Sequence, residues 1–329
     1  MDVSLTVWAV TVVAVLAVIG ADLVAVSRRP HLPSHRESTL WVALFIGLAL
    51  TFGVLVWVHW GQEYASQFYA GWITEYSLSV DNLFVFAIIM SRFRVPVAAQ
   101  QTVLLVGILL ALLFRSVFIA MGAAAIARFS WVFYFFGVFL VYTAWTLIRH
   151  GEDDESDFKE NALLRLVRRV VPSTPDYDGV RLRTKVDGVR LFTPMLVVMV
   201  AIGSTDVLFA LDSIPAIFGL TKEPYLVFAA NAFALMGLMQ LYFLLGGVLQ
   251  RLVYLSNGLA VILGFIGVKL VLEALHTNEV SFINGGEPVP WAPEIPILVS
   301  LLVIAGVLAV TTVASVIKIR QPSGSSMRA

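Results

Sequence analysis

The chain contains no cysteine and little charge. Its 329 residues include 22 Lys and Arg and 22 Asp and Glu, so 13% are charged, against about 25% in a typical soluble domain. The missing cysteines exclude disulfides, thiolate metal sites and cysteine nucleophiles, which leaves mainly oxygen ligands for metals. The formal net charge of zero offers no basis for nucleic-acid binding. We therefore expect no nucleic-acid partner.

Nucleotide-binding and hydrolase motifs are also missing. The sequence has no Walker A loop, no dinucleotide fingerprint and no Gly-x-Ser-x-Gly elbow. ATP-driven pumping by this chain alone is therefore disfavoured. We assign no catalytic residue and no cofactor, and we expect the chain not to be an enzyme.

Apolar residues make up 59% of the chain and occur in runs of roughly 20, the length that crosses about 30 Å of hydrocarbon as a helix. The sequence predicts an all-α integral membrane protein of about nine transmembrane helices. The predicted spans are 4–26, 40–58, 72–91, 101–121, 131–149, 192–217, 226–249, 254–276 and 295–317.

The basic residues are distributed unequally between the two sides that nine spans create. If the N-terminus is outside, 18 of the 22 Lys and Arg lie in cytoplasmic segments, and only Arg128 and Lys222 lie outside. Cytoplasmic loops carry an excess of Lys and Arg. The bias predicts an outside N-terminus and a cytoplasmic C-terminus.

The cytoplasmic loop at 151–191 has three recognisable parts. An acidic run at 152–157 is typical of a solvated linker, with a metal-sensing patch as the alternative. Apolar residues then recur at helical spacing between Phe158 and Val170, which predicts a helix lying on the membrane surface. Asp187-Gly188 predicts the tight turn of a hairpin.

An acidic motif occurs twice, at a constant offset of 131 residues. Thr74-Glu75 is followed by Asp81-Asn82, and Thr205-Asp206 by Asp212-Ser213. Three spans separate the equivalent helices, so the two units have opposite orientation, which is the inverted-repeat construction of many secondary transporters. The predicted units are peripheral helices 1–60, repeat 1 at 61–150, the loop 151–191, repeat 2 at 192–277, and 278–329 with the last helix and the tail.

The four acids in these motifs need compensation inside a bilayer. Each ionised carboxylate at the centre of a spanning helix costs about 2.5–3.5 kcal/mol, so four cost roughly 10 kcal/mol. A bound divalent cation could offset this cost, and so could protonation of the acids in a proton relay. The candidate metal ligands are Glu75, Asp81, Asn82, Asp206, Asp212 and Ser213.

Helical geometry separates these ligands into two sets. Glu75, Ser79 and Asn82 share one stripe, whereas the second aspartate of each motif lies roughly 120° from the first acid. The second aspartate and the first acid of a motif can bind the same ion only if the helix between them unwinds locally. Pro215 predicts such an unwound turn near Leu211 to Ser213, whereas nothing predicts one in the first motif.

Other polar residues in the spans have alternative roles. Arg115 and Lys269 are expected to balance the charge of the acids, and full pairing with them would make the acids structural. Asn231 and Gln240 could add oxygen ligands or tie helices together. Ser79 is a further supporting candidate.

Three segments resemble the TerC family of membrane proteins, which includes Alx-type manganese exporters and belongs with the LysE-like transporters. They are Glu75-Tyr-Ser-Leu-Ser-Val-Asp81-Asn82, Asp212-Ser-Ile-Pro-Ala216 and Phe265-Ile-Gly-Val-Lys269. The resemblance spans about 40–320 and implies export of Mn2+, or of related divalent ions such as Ca2+, with the acids of both repeats as ligands. Members often carry an arginine where this chain has Met239, so the second repeat lacks that cation.

The leading hypothesis is therefore a secondary transporter that exports Mn2+ from a multi-pass position in the bacterial plasma (inner) membrane. Its expected partners are the lipid bilayer and the divalent ion, and the oligomeric state is open. The alternative is a membrane scaffold of a metal or tellurite stress-response complex, built on the cytoplasmic loop. An intramembrane hydrolase is a weaker idea, since no substrate-positioning motif accompanies the aspartates.

Overall fold

The protein is an all-α membrane protein with one small hairpin. Its structure, a computed structural model, describes residues 1–28, 34–129, 131–155, 174–186, 189–245, 254–281 and 283–320. In this part of the chain eight helices are long and apolar enough to cross a membrane, and a shorter apolar helix, Leu5–Ala21, precedes them. Each of the nine predicted spans falls on a helical segment.

The helices are connected by short segments throughout most of the chain. Ser34 caps α2 by accepting a hydrogen bond from the Glu37 amide, and Pro194 and Pro224 occupy the first turns of α6 and α7, where a missing N–H costs little. The helices are α1 Leu5–Arg28, α2 His35–Trp60, α3 Gln62–Arg92, α4 Val97–Arg128, α5 Val132–Glu155, α6 Pro194–Phe218, α7 Pro224–Leu235, α8 Leu238–Leu245, α9 Leu255–His276 and α10 Ile297–Arg320.

A two-stranded antiparallel hairpin precedes α6. Strands β1 Arg183–Val186 and β2 Val189–Phe192 pair with Val186 opposite Val189, which confirms the predicted hairpin. The turn itself and the predicted membrane-surface helix between 158 and 170 lie outside the described residues. The acidic run begins within α5, whose backbone is helical as far as Glu155.

Two ends of the bundle can be defined from loop contacts. At one, the Met1 end, Glu223 in the α6–α7 loop accepts a hydrogen bond from the Met1 amino group at 2.9 Å. At the other, the hairpin end, the Tyr177 hydroxyl donates to the Phe93 carbonyl oxygen at 2.7 Å. The sequence predicts the Met1 end outside and the hairpin end in the cytoplasm.

The helix contacts follow a two-fold pattern. Exchanging α3 with α6, α4 with α7–α8 and α5 with α9 maps the extensive α3–α7 interface onto the α4–α6 interface and the α5–α9 interface onto itself. A two-fold relation between repeats would produce this arrangement. The repeat boundaries at 61–150 and 192–277 stay predictions.

Burial places the repeated helices at the centre. In the most apolar 18-residue stretch of each span, 78% of the residues are buried in the α7–α8 segment, against 22% in α2 and 11% in α10. The exposed Leu and Val side chains of α2 and α10 form apolar surfaces that suit lipid. Polar side chains in the middle of α3, α4, α6 and α7, such as Glu75, Arg115, Asp206 and Asn231, are therefore enclosed by protein.

Two glycines allow a close backbone contact between α5 and α9. A Cβ atom built on Gly137 would lie 2.8 Å from the Gly267 carbonyl oxygen, and one built on Gly267 would lie 2.8 Å from the Gly137 carbonyl oxygen. Small residues at such positions let backbones approach in membrane proteins. This contact fixes the position of α9, which carries Lys269.

The position of the predicted helix break was wrong. The unwound turn at Leu211 to Ser213 is absent, since α6 is continuous through it. Pro215 lies in the last turn of α6, where it removes one backbone hydrogen bond just before the helix ends. The helix break occurs instead between α7 and α8, where Gly237 has a φ of +81°, inside the span predicted at 226–249.

The first residues of α3 were also missed. The helix begins at Gln62 rather than at 72, because its opening turns carry Glu63 and Gln67 on a face towards solvent and so lack the apolar run of a span. Its other face packs Phe68 and Trp72 into the core.

Candidate functional site

A buried arginine joins the acidic motifs of the two predicted repeats. Arg115 lies in the middle of α4, and its side chain is fully buried. Its Nη1 donates to Glu75 Oε2 on α3 at 2.5 Å. Its Nε lies 3.9 Å from Asp206 Oδ1 on α6, which is an ion pair without a hydrogen bond. One guanidinium group therefore serves both acids.

Two amide side chains complete this network. Asn231 on α7 donates from Nδ2 to Glu75 Oε2 at 3.0 Å. In the orientation that satisfies both of its polar atoms, the Asn82 amide donates to the Leu78 carbonyl oxygen and accepts from Arg115 Nη2, each at 3.0 Å. The network thus links α3, α4, α6 and α7, and its residues are at least nine-tenths buried.

Three oxygens of the network and two serine hydroxyls on the same helices, α3 and α6, are buried without a hydrogen-bond partner among the described residues. Buried polar atoms are nearly always satisfied by protein, water or an ion. Unsatisfied acceptors within the network are what a bound cation would require. The atoms are Glu75 Oε1, Asp206 Oδ2, Asn231 Oδ1, Ser79 Oγ and Ser213 Oγ.

The charges of the network do not balance. Two carboxylates, Glu75 and Asp206, face one guanidinium, so with both acids ionised the described groups carry one surplus negative charge in a buried region. Leaving such a charge uncompensated is costly. The network has both the charge and the free oxygens to accept a further cation or a proton.

The two second aspartates of the motifs cannot be placed in this geometry. The backbones of Asp81 and Asp212 are helical, but their side chains lie outside the described part of the structure. Within that part, no cluster of three or more His, Asp or Glu side chains is arranged to hold a metal. A cation held by the described residues would need amide and hydroxyl oxygens as well as carboxylates.

Two further supporting candidates, Lys269 and Gln240, line cavities. Lys269 forms no ion pair with Glu75 or Asp206 among the described residues, and it lines a separate cavity at the Met1 end. Its role in balancing the four motif acids stays a prediction, because the side chains of Asp81 and Asp212 lie outside the described residues. Gln240 is buried on α8 beside a cavity of about 20 Å³.

Met239 sits in an apolar environment with Ile108 and Leu235. Because Arg115 already reaches the acid of the second motif, that motif has a buried cation despite Met239. Comparing the two motifs residue by residue did not predict that one arginine would serve the acids of both. The sequence shows Arg115 within an apolar span, but only the fold reveals that it contacts Glu75 on α3 and lies within ion-pair distance of Asp206 on α6.

These features define a class: a multi-pass helical membrane protein with a charged network buried between four of its helices. The chain belongs to the TerC family of integral membrane proteins, whose family model matches residues 60–323. The match includes every residue of the network. The resemblance noted from the motifs is thereby confirmed.

Relatives of the chain are membrane proteins from bacteria and chloroplasts. An uncharacterized membrane protein of Mycobacterium tuberculosis is 49% identical over 96% of this chain and 80% of its own length. The thylakoid membrane protein TERC of Arabidopsis thaliana is 41% identical over 73% of this chain and 62% of its own. Alx of Escherichia coli, named as a putative membrane-bound redox modulator, is 34% identical over 92% of each chain. No solved structure matches the chain.

Proposed function

We propose that this protein is a secondary transporter that exports divalent cations, with Mn2+ as the main substrate. One observation carries the proposal: a buried network at the centre of the bundle holds two carboxylates against one guanidinium and leaves carboxylate and amide oxygens unsatisfied. Hard divalent cations take this set of ligands. We also propose that the chain has no enzymatic activity.

The ligands would come from both acidic motifs. Glu75 and Asp206 supply carboxylate oxygens, Asn231 supplies an amide oxygen, and Ser79 and Ser213 supply hydroxyl oxygens. Asp81 and Asp212 are further candidates from the sequence. Ligands from α3, α6 and α7 would let a small movement between repeats open the site first to one side and then to the other.

Arg115 would act as a resident cation that exchanges with the substrate. It neutralises part of the acidic charge when no ion is bound, which keeps the empty transporter stable. A divalent cation would repel the guanidinium and compete with it for Glu75. Such competition would weaken binding enough for release, which transport requires.

Manganese is favoured by ligand type and by resemblance. Carboxylate and carbonyl oxygens suit Mg2+, Ca2+ and Mn2+, whereas a chain without cysteine offers little to softer metals. The motifs resemble those of manganese exporters. The redox role in the name of the Escherichia coli relative cannot involve thiol exchange in this cysteine-free chain, but export of a redox-active metal would alter redox balance.

The proposal can be tested in proteoliposomes. Purified protein should move Mn2+ across the bilayer faster than empty liposomes do, measured with a trapped metal-sensitive dye. Glu75→Gln and Asp206→Asn keep the shape of each side chain but remove its charge, so each should lower the rate at least about tenfold. Parallel runs with Ca2+ and Mg2+, with and without a pH gradient, would establish selectivity and coupling.

The matched control is Glu287→Gln, which removes an exposed acid from the loop before α10 and should leave transport unchanged. Absence of Mn2+ movement in the unmodified protein would contradict the proposal. Deleting residues 152–170 tests the scaffold alternative: a transporter should keep most of its activity, whereas a scaffold should lose its cellular phenotype.

A further inference from the structure

A second polar cavity opens at the Met1 end of the bundle, and the proposed cation site does not use it. We call it the vestibule. It has a volume of about 490 Å³ and lies between α3, the α6–α7 loop, α9 and the segment before α10. Its polar lining includes Glu63, Gln67, Thr221, Lys222, Lys269 and Glu294. The cavity is large enough for a small organic solute.

Most of the polar groups in the vestibule have partners. Lys222 Nζ pairs with Glu273 Oε1 at 2.6 Å. The Thr221 hydroxyl donates to Gln67 Oε1 at 2.6 Å. Glu223 is bound to the Met1 amino group. These contacts neutralise two of the acids and tie the walls together.

Lys269 is the exception on the floor of the vestibule. It is 6% exposed, and it has neither a hydrogen bond nor an acid within 4.0 Å in the part of the chain that the structure describes. Glu273 and Glu294 act on it only at longer range, and Lys222 opposes them. A buried ammonium group in a cavity, without an anion, marks a place for one.

The position of Lys269 is fixed by the fold. Gly267 lies against the backbone of Gly137 on α5. At about 100° per residue, Lys269 lies roughly 200° further around α9, on the opposite side from that contact. The same sequence segment, 265–269, therefore supplies both the contact and the side chain that faces the vestibule.

The rim of the vestibule limits which anion can bind. Glu63 and Glu294 are exposed and have no ion-pair partner among the described residues. They would repel a multiply charged anion, but they tolerate a monovalent one and would attract an ammonium group on the same molecule. We propose that the vestibule binds a small solute through a carboxylate group placed on Lys269. The ligand is either a simple carboxylate or a zwitterion.

The inference does not depend on cation transport, and a binding assay tests it directly. Full-length protein in nanodiscs of neutral lipid would be titrated with acetate, glycine, methylammonium and phosphate by calorimetry at constant chloride. Acetate and glycine should bind with a Kd on the order of 1 mM, because such ligands have few atoms to contribute. Glycine should bind at least as well as acetate, and methylammonium should not bind.

Variants separate Lys269 from general charge effects. Lys269→Gln should weaken acetate and glycine binding at least about tenfold. Lys269→Arg keeps the positive charge and should keep most of the affinity. This variant is the control for a general effect of substitution at the position. Lys185→Gln removes the same charge from β1 at the other end of the molecule and should bind as the unmodified protein does.

Each outcome decides the inference. Carboxylate binding that is lost in Lys269→Gln and kept in Lys185→Gln supports it. Binding of phosphate alone, equal binding by Lys269→Gln, or no binding of acetate or glycine overturns it. Failure here would leave Mn2+ movement in proteoliposomes unaffected, so the two proposals can fail separately.

Discussion

At the scale of single residues, Arg115 is the side chain on which the centre of the molecule depends. Its guanidinium contacts Glu75 and Asn82 and lies within ion-pair distance of Asp206. Arg115→Met should lower the stability by about 3–5 kcal/mol, because it leaves buried carboxylates without their partner. The midpoint of thermal unfolding in detergent would measure the loss.

A double-mutant cycle shows whether the loss comes from the pair. Adding Glu75→Gln to Arg115→Met removes one of the orphaned charges, so the double variant should be more stable than the sum of the two single effects predicts. Arg128→Met, at the exposed end of α4, is the matched control and should change little. Additive effects would contradict a coupled network.

At the scale of helices, the α5–α9 contact depends on two glycines. Gly267→Ala would place its Cβ 2.8 Å from the Gly137 carbonyl oxygen, so the helices must separate, at a cost of about 1–3 kcal/mol. Gly264→Ala on the same helix meets only the Ala144 Cβ at 3.5 Å and should be neutral or slightly stabilising. Thermal unfolding of both variants tests the difference, and equal midpoints would disprove the tight contact.

Helix positions were predictable because each span has an apolar length set by the bilayer. The segments whose structure was not predicted lack this apolar signal. The opening turns of α3 combine polar and apolar faces, and the break before α8 depends on Gly237, which a hydrophobicity pattern passes over. A Cβ there would lie 2.8 Å from the Phe45 ring, a contact between distant parts of the sequence.

The candidate site was predictable in its acids but not in its pairing. Sequence spacing located Glu75 and Asp206, because carboxylates are costly within apolar spans and these two recur at a fixed offset. Arg115 and Lys269 look alike in the sequence, because each is a lone cation within an apolar span. The spacing therefore could not show that Arg115 lies beside the two acids whereas Lys269 faces the vestibule. Only the packing of helices assigns each cation to its surroundings.

At the scale of the whole molecule, the two ends differ in charge. The hairpin end carries Arg92, Arg94, Arg183, Lys185 and Arg190, whereas the Met1 end carries the vestibule with its four glutamates. Basic segments favour the cytoplasmic side. An exported cation would then move from the basic hairpin end towards the Met1 end, and the direction of transport would follow from the orientation.

The absence of cysteine makes this orientation directly testable. Lys185→Cys and Glu287→Cys each place a single thiol at an exposed position, at the hairpin end and the Met1 end respectively. A membrane-impermeant maleimide should label Glu287→Cys in intact cells and Lys185→Cys only after permeabilisation. The unmodified protein, which has no thiol, gives the background. The reverse pattern would place the opening of the vestibule on the cytoplasmic side and would contradict the orientation that the basic residues predict.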